Sequence, residues 1–346
     1  MVGKTFNRKE QSYASTSSSE TGPDWNKIVK KYPEANFLQS PEYGRMNEIL
    51  GCEVIYEDFD KKGSALMIVR NAKRGRYLEI PCGPLIDWTD KNLTREVIDK
   101  ITQIAATKKC VFVRIRPQLL ATAENLQILS GLGFKKSPMH LAAEHTVILD
   151  LTRKEEEMLA SMRRQTRYEV RRGLKLGIEV VKDDSEKIFK EFHDCQVETA
   201  KRQNFVPPSF KTLEAEREAF KGKIWVYKAS TAEGEPVAYG LIVGNGLEAD
   251  YYEAASTALN RKLPGAYTLL WQAMCDLKKE GYRRFNLWGI APAGQPHHRY
   301  AGVTTFKTGF GGEVVEFVPA HDLVISKVKY LRNLAVETMR KKKRHL

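Results

Sequence analysis

No stretch of this sequence approaches the ~18 consecutive apolar residues that a spanning helix needs, so no transmembrane helix is expected. The N-terminal residues lack the apolar core of a secretory signal, so a cleaved leader is not expected either. Cysteine is sparse. Cys52, Cys82, Cys110, Cys195 and Cys275 are widely spaced, odd in number and never form C-x-x-C. That excludes a disulfide framework and a structural zinc site, and it suits a reducing cytoplasm. A G-x-S-x-G elbow, a Walker A loop and a dinucleotide fingerprint are all missing. His297-His298 has no further ligand at metal spacing, so no metal is expected. Positive charge is in excess: 56 Lys and Arg against 43 Asp and Glu give +13 over 346 residues. The imbalance points to a polyanionic partner such as nucleic acid, a phosphorylated substrate or anionic lipid. The chain is 42% hydrophobic. At roughly 100–200 residues per domain it has the length and apolar content for two cores.

The polar, Ser/Thr-rich residues 1–22 read as a disordered leader. Order is expected to begin near Trp25, with a helix over 38–50 capped by Ser40 and Pro41. Strands are expected at Val54–Phe59, Ser64–Arg70, Tyr77–Pro81 and Cys110–Arg116, with a helix at Leu93–Lys108. The second half repeats this order. A helix over Lys154–Leu176 leads to strands at Ile224–Ala229, Val237–Gly244 and Leu247–Ala255, a helix at Tyr267–Glu280 and a strand at Arg284–Gly289. A glycine-rich loop and the segment Glu313–Val318 follow. The repeated strand–helix–strand order predicts an α/β protein with a mixed sheet in each half. The expected limits are 23–148 for the first domain, 149–338 for the second and 339–346 for a basic tail.

Three segments carry candidate chemistry. In the helix around 162–175, Arg163, Arg164, Arg167, Arg171 and Lys175 recur at spacings of three, four or seven, and only Glu169 is negative. That stacks cations on one face and suits nucleic-acid binding. The loop Arg261-Lys-Leu-Pro-Gly-Ala266 has the spacing of a pyrophosphate cradle in acyl-CoA N-acetyltransferases, but Pro264 removes one N–H donor; an ordinary helix start explains it better. In Gly302–Gly312, Lys307 is set among glycines and phenylalanines. It is either a surface lysine at a turn or a cation walled from water, where its charge acts strongly.

Read in order, several motifs resemble the Fem (FemABX) family of peptidoglycan-bridge aminoacyltransferases. They are Phe37-Leu-Gln-Ser-Pro-Glu-Tyr-Gly44, Pro81-Cys-Gly-Pro-Leu-Ile-Asp87, Thr146–Leu151 with Arg167 and Arg171, Tyr251-Tyr252, Asn286-Leu-Trp-Gly-Ile290 and Thr305–Gly312. The resemblance implies two tandem GNAT-like (acyl-CoA N-acyltransferase-like) domains, here without a coiled-coil arm. It implies transfer of an amino acid from aminoacyl-tRNA, as co-substrate, to an amine on the stem peptide of a lipid-linked or nucleotide-linked precursor, with no other cofactor. It assigns Lys307 and Phe306 to catalysis, and Arg202, Tyr252, Tyr43 and Asp87 to substrate binding. Asp87 and Glu253 are candidates for a general base. The tRNA falls to Arg163, Arg164, Arg167 and Arg171. A cytoplasmic monomer with peripheral contact to the inner, anionic membrane face is expected. The sequence departs from the family pattern at Cys82, Asn47 and Asn286. Other readings stay open: aminoacyl transfer to another small molecule or peptide, a CoA-dependent acyltransferase, and a non-catalytic nucleic-acid-binding protein on a decayed acetyltransferase fold.

Overall fold

The computed structural model describes residues 27–344 except 29, 30, 33, 34, 61, 73, 74 and 204. The leader expected at 1–22 lies outside the described residues, as do Trp25 and the last two residues of the tail. In the first half the elements are α1 (Pro41–Ile49), β1 (Glu53–Asp58), β2 (Gly63–Ala72), β3 (Gly75–Cys82), β4 (Leu85–Ile86), α2 (Lys91–Thr107), β5 (Cys110–Pro117), α3 (Ala123–Gly131) and β6 (Lys135–Lys136). Local chemistry sets the helix starts. Ser40 Oγ accepts from the Tyr43 N–H with Pro41 in the first turn, and Asp90 accepts from the Asn92 and Leu93 N–H groups. In α2, Leu93, Val97, Ile98, Ile101 and Ala105 recur at helical spacing and are buried against the sheet. Every residue of β5 is buried, as expected for a strand covered on both faces.

The second half contributes β7 (His145–Asp150), α4 (Glu155–Ser161), α5 (Arg164–Lys175), β8 (Glu179–Asp183), α6 (Glu186–Gln203), α7 (Phe210–Ala219), β9 (Ile224–Ser230), β10 (Pro236–Asn245), β11 (Glu248–Ser256), α8 (Gly265–Lys279), β12 (Arg284–Asn286), α9 (Ala301–Thr308), β13 (Glu313–Glu316), β14 (His321–Val324) and α10 (Lys327–Arg344). The helix expected over Lys154–Leu176 is two helices. Met162 and Arg163 are extended, and the Arg163 N–H bonds Gly309 O at 2.9 Å rather than its own helix. Within the segment expected to be a glycine-rich loop, Ala301–Thr308 is helix α9; of its glycines Gly294, Gly311 and Gly312 have positive φ (74°, 82° and 87°).

The described residues form two mixed sheets of seven strands. One runs β1-β2-β3-β5-β14-β6, with β4 on β2; the other runs β13-β7-β12-β11-β10-β9-β8. Their central motifs match: β3–α2–β5 and β11–α8–β12 are both strand–helix–strand units with parallel pairing. The strand beside each unit is exchanged. β14, from the end of the chain, lies antiparallel to β5 in the first sheet, and β7 takes the equivalent place beside β12 in the second. His321–Val324, expected within the second domain, therefore completes the first, and His145–Ile148 of β7, expected within the first, completes the second. The crossing segments are tied together: the Phe317 N–H donates to Glu144 O at 2.7 Å, the Ala320 N–H to the Glu144 carboxylate at 3.1 Å and the Ser137 N–H to Ala320 O at 2.8 Å.

Each sheet has a core on one face, under α2 in the first and α8 in the second. A third cluster joins the halves. Phe37, Leu38, Leu66 and Cys82 pack with Phe189, Phe192, Tyr239 and Leu241. Gln39 ties the Phe37–Gln39 segment to the first sheet: its amide nitrogen donates to Leu66 O of β2 and Pro81 O of β3, and its oxygen accepts from the Leu66 N–H. Among the described residues no helix is long and apolar enough to cross a membrane.

Candidate active site at the split of the second sheet

β11 and β12 pair only from Glu248/Arg284 to Asp250/Asn286. Beyond Asp250, β11 continues along β10 to Ser256, while the chain after Asn286 stays with β7 through Leu287 N–H to Val147 O and Ile290 N–H to His145 O. The sheet therefore splits at Tyr251 and Leu287. Trp288 sits in the parting segment with φ 61°, a left-handed conformation unfavourable for a bulky residue. Hydrogen bonds hold it there: the Trp288 N–H donates to Asn286 Oδ1 and the Thr146 hydroxyl to Trp288 O.

Lys307 reaches this split from α9. It is 8% exposed, its Nζ donates to Gly289 O at 2.9 Å and lies 5.8 Å from the centroid of the Tyr251 ring. No carboxylate pairs with it among the described residues. Burial disfavours the charged amine and lowers its pKa to about 7. Phe306, the preceding residue on the helix, turns away into an aromatic trio with Tyr267 (4.9 Å between centroids) and Phe310 (5.3 Å). Its role in the structure is to anchor α9 to α8, not to wall the lysine.

On the other side of β11, Phe37 gathers an aromatic group. Its ring lies 6.3 Å from Tyr43, 5.1 Å from Tyr252 and 5.6 Å from Trp288. Burial raises the pKa of both tyrosines, and the charge of Glu216 adds to the rise. Arg202 is at the end of β11, its exposed guanidinium donating to Ser256 O and to Thr199 Oγ1. Tyr252 and Trp288 thus meet at the split through Phe37, with Tyr43 behind it, while Arg202 lies farther along at the end of β11 and Lys307 lies against Tyr251. Asp87 is not part of this group. It is exposed at the turn into α2, and hydrogen bonds from the Thr89 hydroxyl and N–H hold its pKa below the usual carboxylate value. Its carboxylate is engaged by its own turn.

The basic helix divides. Arg163 donates to Thr305 O on α9, and Arg167 donates to Ala160 O and Met162 O at the end of α4. These two satisfy helix-end carbonyls. Arg164, Arg171 and Lys175 are exposed and have no hydrogen-bond or ion-pair partner among the described residues. Cys82 is fully buried, its thiol accepting from Arg116 Nη2 at 3.1 Å and its pKa pushed up to about 12 by burial. Asn47 is buried too, its oxygen accepting from Arg70 at 2.8 Å. Sequence reasoning missed Glu216. It lies on α7, 5% exposed, beside Glu253, and the signal in Glu-Ala-Glu-Arg-Glu is that of a solvated helix.

A family model for the FemAB family matches residues 21–214 and 207–337. The chain belongs to the FemAB family. A curated relative, the Lipid II:glycine glycyltransferase of Staphylococcus aureus, is 24% identical over 201 residues, which is 54% of this chain and 48% of that protein. The chain thus spans about half the length of the curated relatives it matches. Among solved structures, FemX superposes with a TM-score of 0.79 at 17% identity, over 89% of this chain and 96% of FemX. The C-terminal domain of a putative lysylphosphatidylglycerol synthetase from Agrobacterium fabrum gives 0.59 at 14% identity, over 90% and 96% of the two chains. A tandem GNAT protein from the clavulanic acid biosynthesis pathway gives 0.51 at 10%, over 76% and 78%. These likenesses show the fold. This FemAB chain carries two GNAT-like units, and among the described residues α6, of 18 residues, and α7, of 10, stand between β8 and β9.

Proposed function

We propose that the protein forms an amide, moving an amino acid from an aminoacyl-tRNA to an amine on the stem peptide of a peptidoglycan precursor. The observation that carries this is the split of the second sheet, with a buried lysine at its edge that no described carboxylate pairs, in a chain of the FemAB family. An aminoacyl ester is already activated, so attack by a neutral amine is downhill. The protein's tasks are to align the two groups and to stabilise the oxyanion. Lys307 is suited to the second: its ammonium, anchored on Gly289 O in a desolvated site, supplies charge that strengthens as the oxyanion develops. Arg202, held on the rim by Ser256 O, is suited to a precursor phosphate. Arg164, Arg171 and Lys175 present free charge for the tRNA backbone.

Two further observations support a chemistry without CoA. At a GNAT pyrophosphate site the helix N-terminus donates its free N–H groups. In α8 the Ala266 N–H is taken by Asn260 Oδ1 at 3.0 Å, and in α2 the Asp90 carboxylate occupies the N-terminus. The exposed face of α10 supports work at the inner surface of an anionic membrane. Val328, Leu331 and Met339 form an apolar stripe flanked by Lys327, Lys329 and Arg332. Its one acid, Glu337, is engaged by Arg114.

The test is incubation with mixed charged tRNAs and lipid-linked or nucleotide-linked precursor, followed by mass spectrometry of the acceptor. The expected product is a precursor heavier by one aminoacyl residue, formed only when tRNA is charged. Acylation by acetyl-CoA without tRNA would overturn the reading.

A further inference from the structure

On the face of the second sheet covered by α6 and α7, close to the split, hydrogen-bond acceptors outnumber donors. The register of β10 and β11 shifts here: Leu241 faces Glu253 and Ile242 faces Tyr251, so Tyr252 is the extra residue of a β-bulge. In an unbroken strand, successive side chains point to opposite faces. Here two neighbours share one face. Tyr252 packs with Phe37 and Trp288, and Glu253 accepts from Gln196 Nε2 of α6 at 2.6 Å.

Glu216 approaches the same place from α7. Glu216 is 5% exposed and Gln196 3%, and both Glu216 Oε2 and Gln196 Oε1 are buried without a hydrogen-bond partner among the described residues. Desolvation raises the pKa of both glutamates, and the charge of Glu253 raises that of Glu216 further. Leu213, Ala215 and Ala219 of the same helix pack in the apolar cluster that joins the halves. Two neighbouring carboxyl groups, one of them with an unpartnered oxygen, are unfavourable in such a place, and a group kept at that cost marks a site that a ligand completes.

We infer that Glu216, Glu253 and Gln196 form a receptor for a primary ammonium group, the protonated amine of the acceptor. An ammonium offers three N–H donors and one positive charge. The site offers Glu216 Oε2, Gln196 Oε1 and the Glu253 carboxylate. The Phe37, Tyr252 and Trp288 rings beside it present aromatic surface that favours a cation over water. Assigning this ammonium to the acceptor rests on the aminoacyl-transfer reading; the binding itself does not.

The probe is Nα-acetyl-lysine methylamide, titrated into the full chain by NMR or calorimetry, with the norleucine analogue as the shape control. The lysine probe is expected to bind. The norleucine probe, Glu216→Gln and Glu253→Gln should each weaken binding by about tenfold or more, the loss of one charge-assisted hydrogen bond. Thermal melts accompany both variants; Glu216→Gln should melt no lower than wild type, because the amide keeps the shape of a carboxyl group whose charged form burial disfavours. Equal binding of the two probes, or lysine-probe binding that survives both substitutions, means the acceptors hold water only and overturns the receptor. Probe binding lost in both variants, with no acceptor aminoacylated by any charged tRNA, leaves the receptor standing and removes the functional reading. Transfer by the wild type with an unchanged acceptor KM in Glu216→Gln keeps the function and removes the receptor.

Discussion

The two halves hold the same parallel pair in two states. β3 and β5 stay paired from Arg76/Cys110 to Cys82/Pro117, whereas β11 and β12 part after Asp250/Asn286. The closed pair ends on a buried Arg116 bonded to the Cys82 thiol, its ring neighbour Phe317 5.0 Å away. The open pair ends on Lys307, Trp288 and the tyrosines of β11. A shared topology therefore leaves room for chemistry in one half only, because a sheet zipped to its end offers no unpaired backbone and no gap. The closed half instead supplies walls: Phe37 and Tyr43 come from the segment before its first strand and reach across to Tyr252. That division of labour can be broken experimentally.

The largest effect is expected from removing the exchanged strand. β14 covers β5 in the closed half, and the Arg114 guanidinium on β5 is paired with Asp322 at 2.7 Å and Glu337 at 2.7 Å, with Asp322 fully buried. A chain ended after residue 320 exposes the β5 edge and strips Val324, Tyr330 and Leu334 from Val111 and Phe112. Each large apolar side chain uncovered costs about 1.5–3 kcal/mol, so the loss is a large share of an ordinary domain's stability. The truncated chain should lose its cooperative melt in both halves, followed by circular dichroism. A second half that melts normally would mean the exchange does not couple the two sheets.

Next in size is the pH dependence of stability imposed by the open split. Folded Lys307 releases its proton near pH 7, the unfolded chain near 10.5. Between those values the unfolded state holds more protons, so wild-type stability should rise with pH, by an amount on the order of 4 kcal/mol if no other group intervenes. Lys307→Met should be flatter over that window and more stable than wild type near neutrality. Urea melts of both proteins at pH 7 and 9.5 give the difference. Parallel behaviour would mean the ammonium stays charged in the folded protein.

Turnover should fall by about 100-fold in Lys307→Ala, the scale of losing one oxyanion donor. Lys307→Arg should not restore it, since a planar fork does not fit the space of a compact ammonium. Single-turnover transfer reads this, with substrate binding changing less than rate. Wild-type turnover in Lys307→Ala would remove the lysine from the chemistry and make the open split a binding feature only.

The sequence carried the central units plainly. The apolar spacing of Leu93–Ala105 and the run Cys110–Arg116 are local signals, and Ser40 with Pro41 marks a helix start by its own chemistry. The motif around Lys307 was legible by resemblance. The strand exchange was not, because the pairing of His321 with Ile115 depends on residues some two hundred positions apart. Helix α9 was obscured by Gly302 and Gly309, which suggest a loop. In the fold Gly309 is small because any Cβ there would meet Thr166 and Arg163. Glu216 was invisible for a different reason: its helix reads as charged and solvated, and only the bulge at Tyr252 brings Glu253 to face it.

The smallest effect concerns the basic helix. Four arginines with one periodicity do two jobs in the structure. Arg163 and Arg167 close carbonyls at α9 and α4, while Arg164 and Arg171 face solvent with no partner among the described residues. If the free pair meets tRNA phosphates, Arg164→Ala with Arg171→Ala should weaken charged-tRNA binding at low salt. It should also reduce the slope of log affinity against log salt by roughly 1.4–1.8, about 0.7–0.9 for each phosphate that is no longer neutralised. The melting temperature should not change, because neither side chain holds structure. Arg163→Ala should act in the opposite manner. Its loss frees Thr305 O close to Lys307 on the same helix, so rate should fall while the salt slope stays near wild type. Filter binding over a salt series, beside single-turnover rates, separates the two. A salt slope reduced equally by both sets would mean that Arg163 reaches the tRNA as well. An unchanged slope in the Arg164/Arg171 variant would move the tRNA off this helix, and leave the open split to be approached from another side.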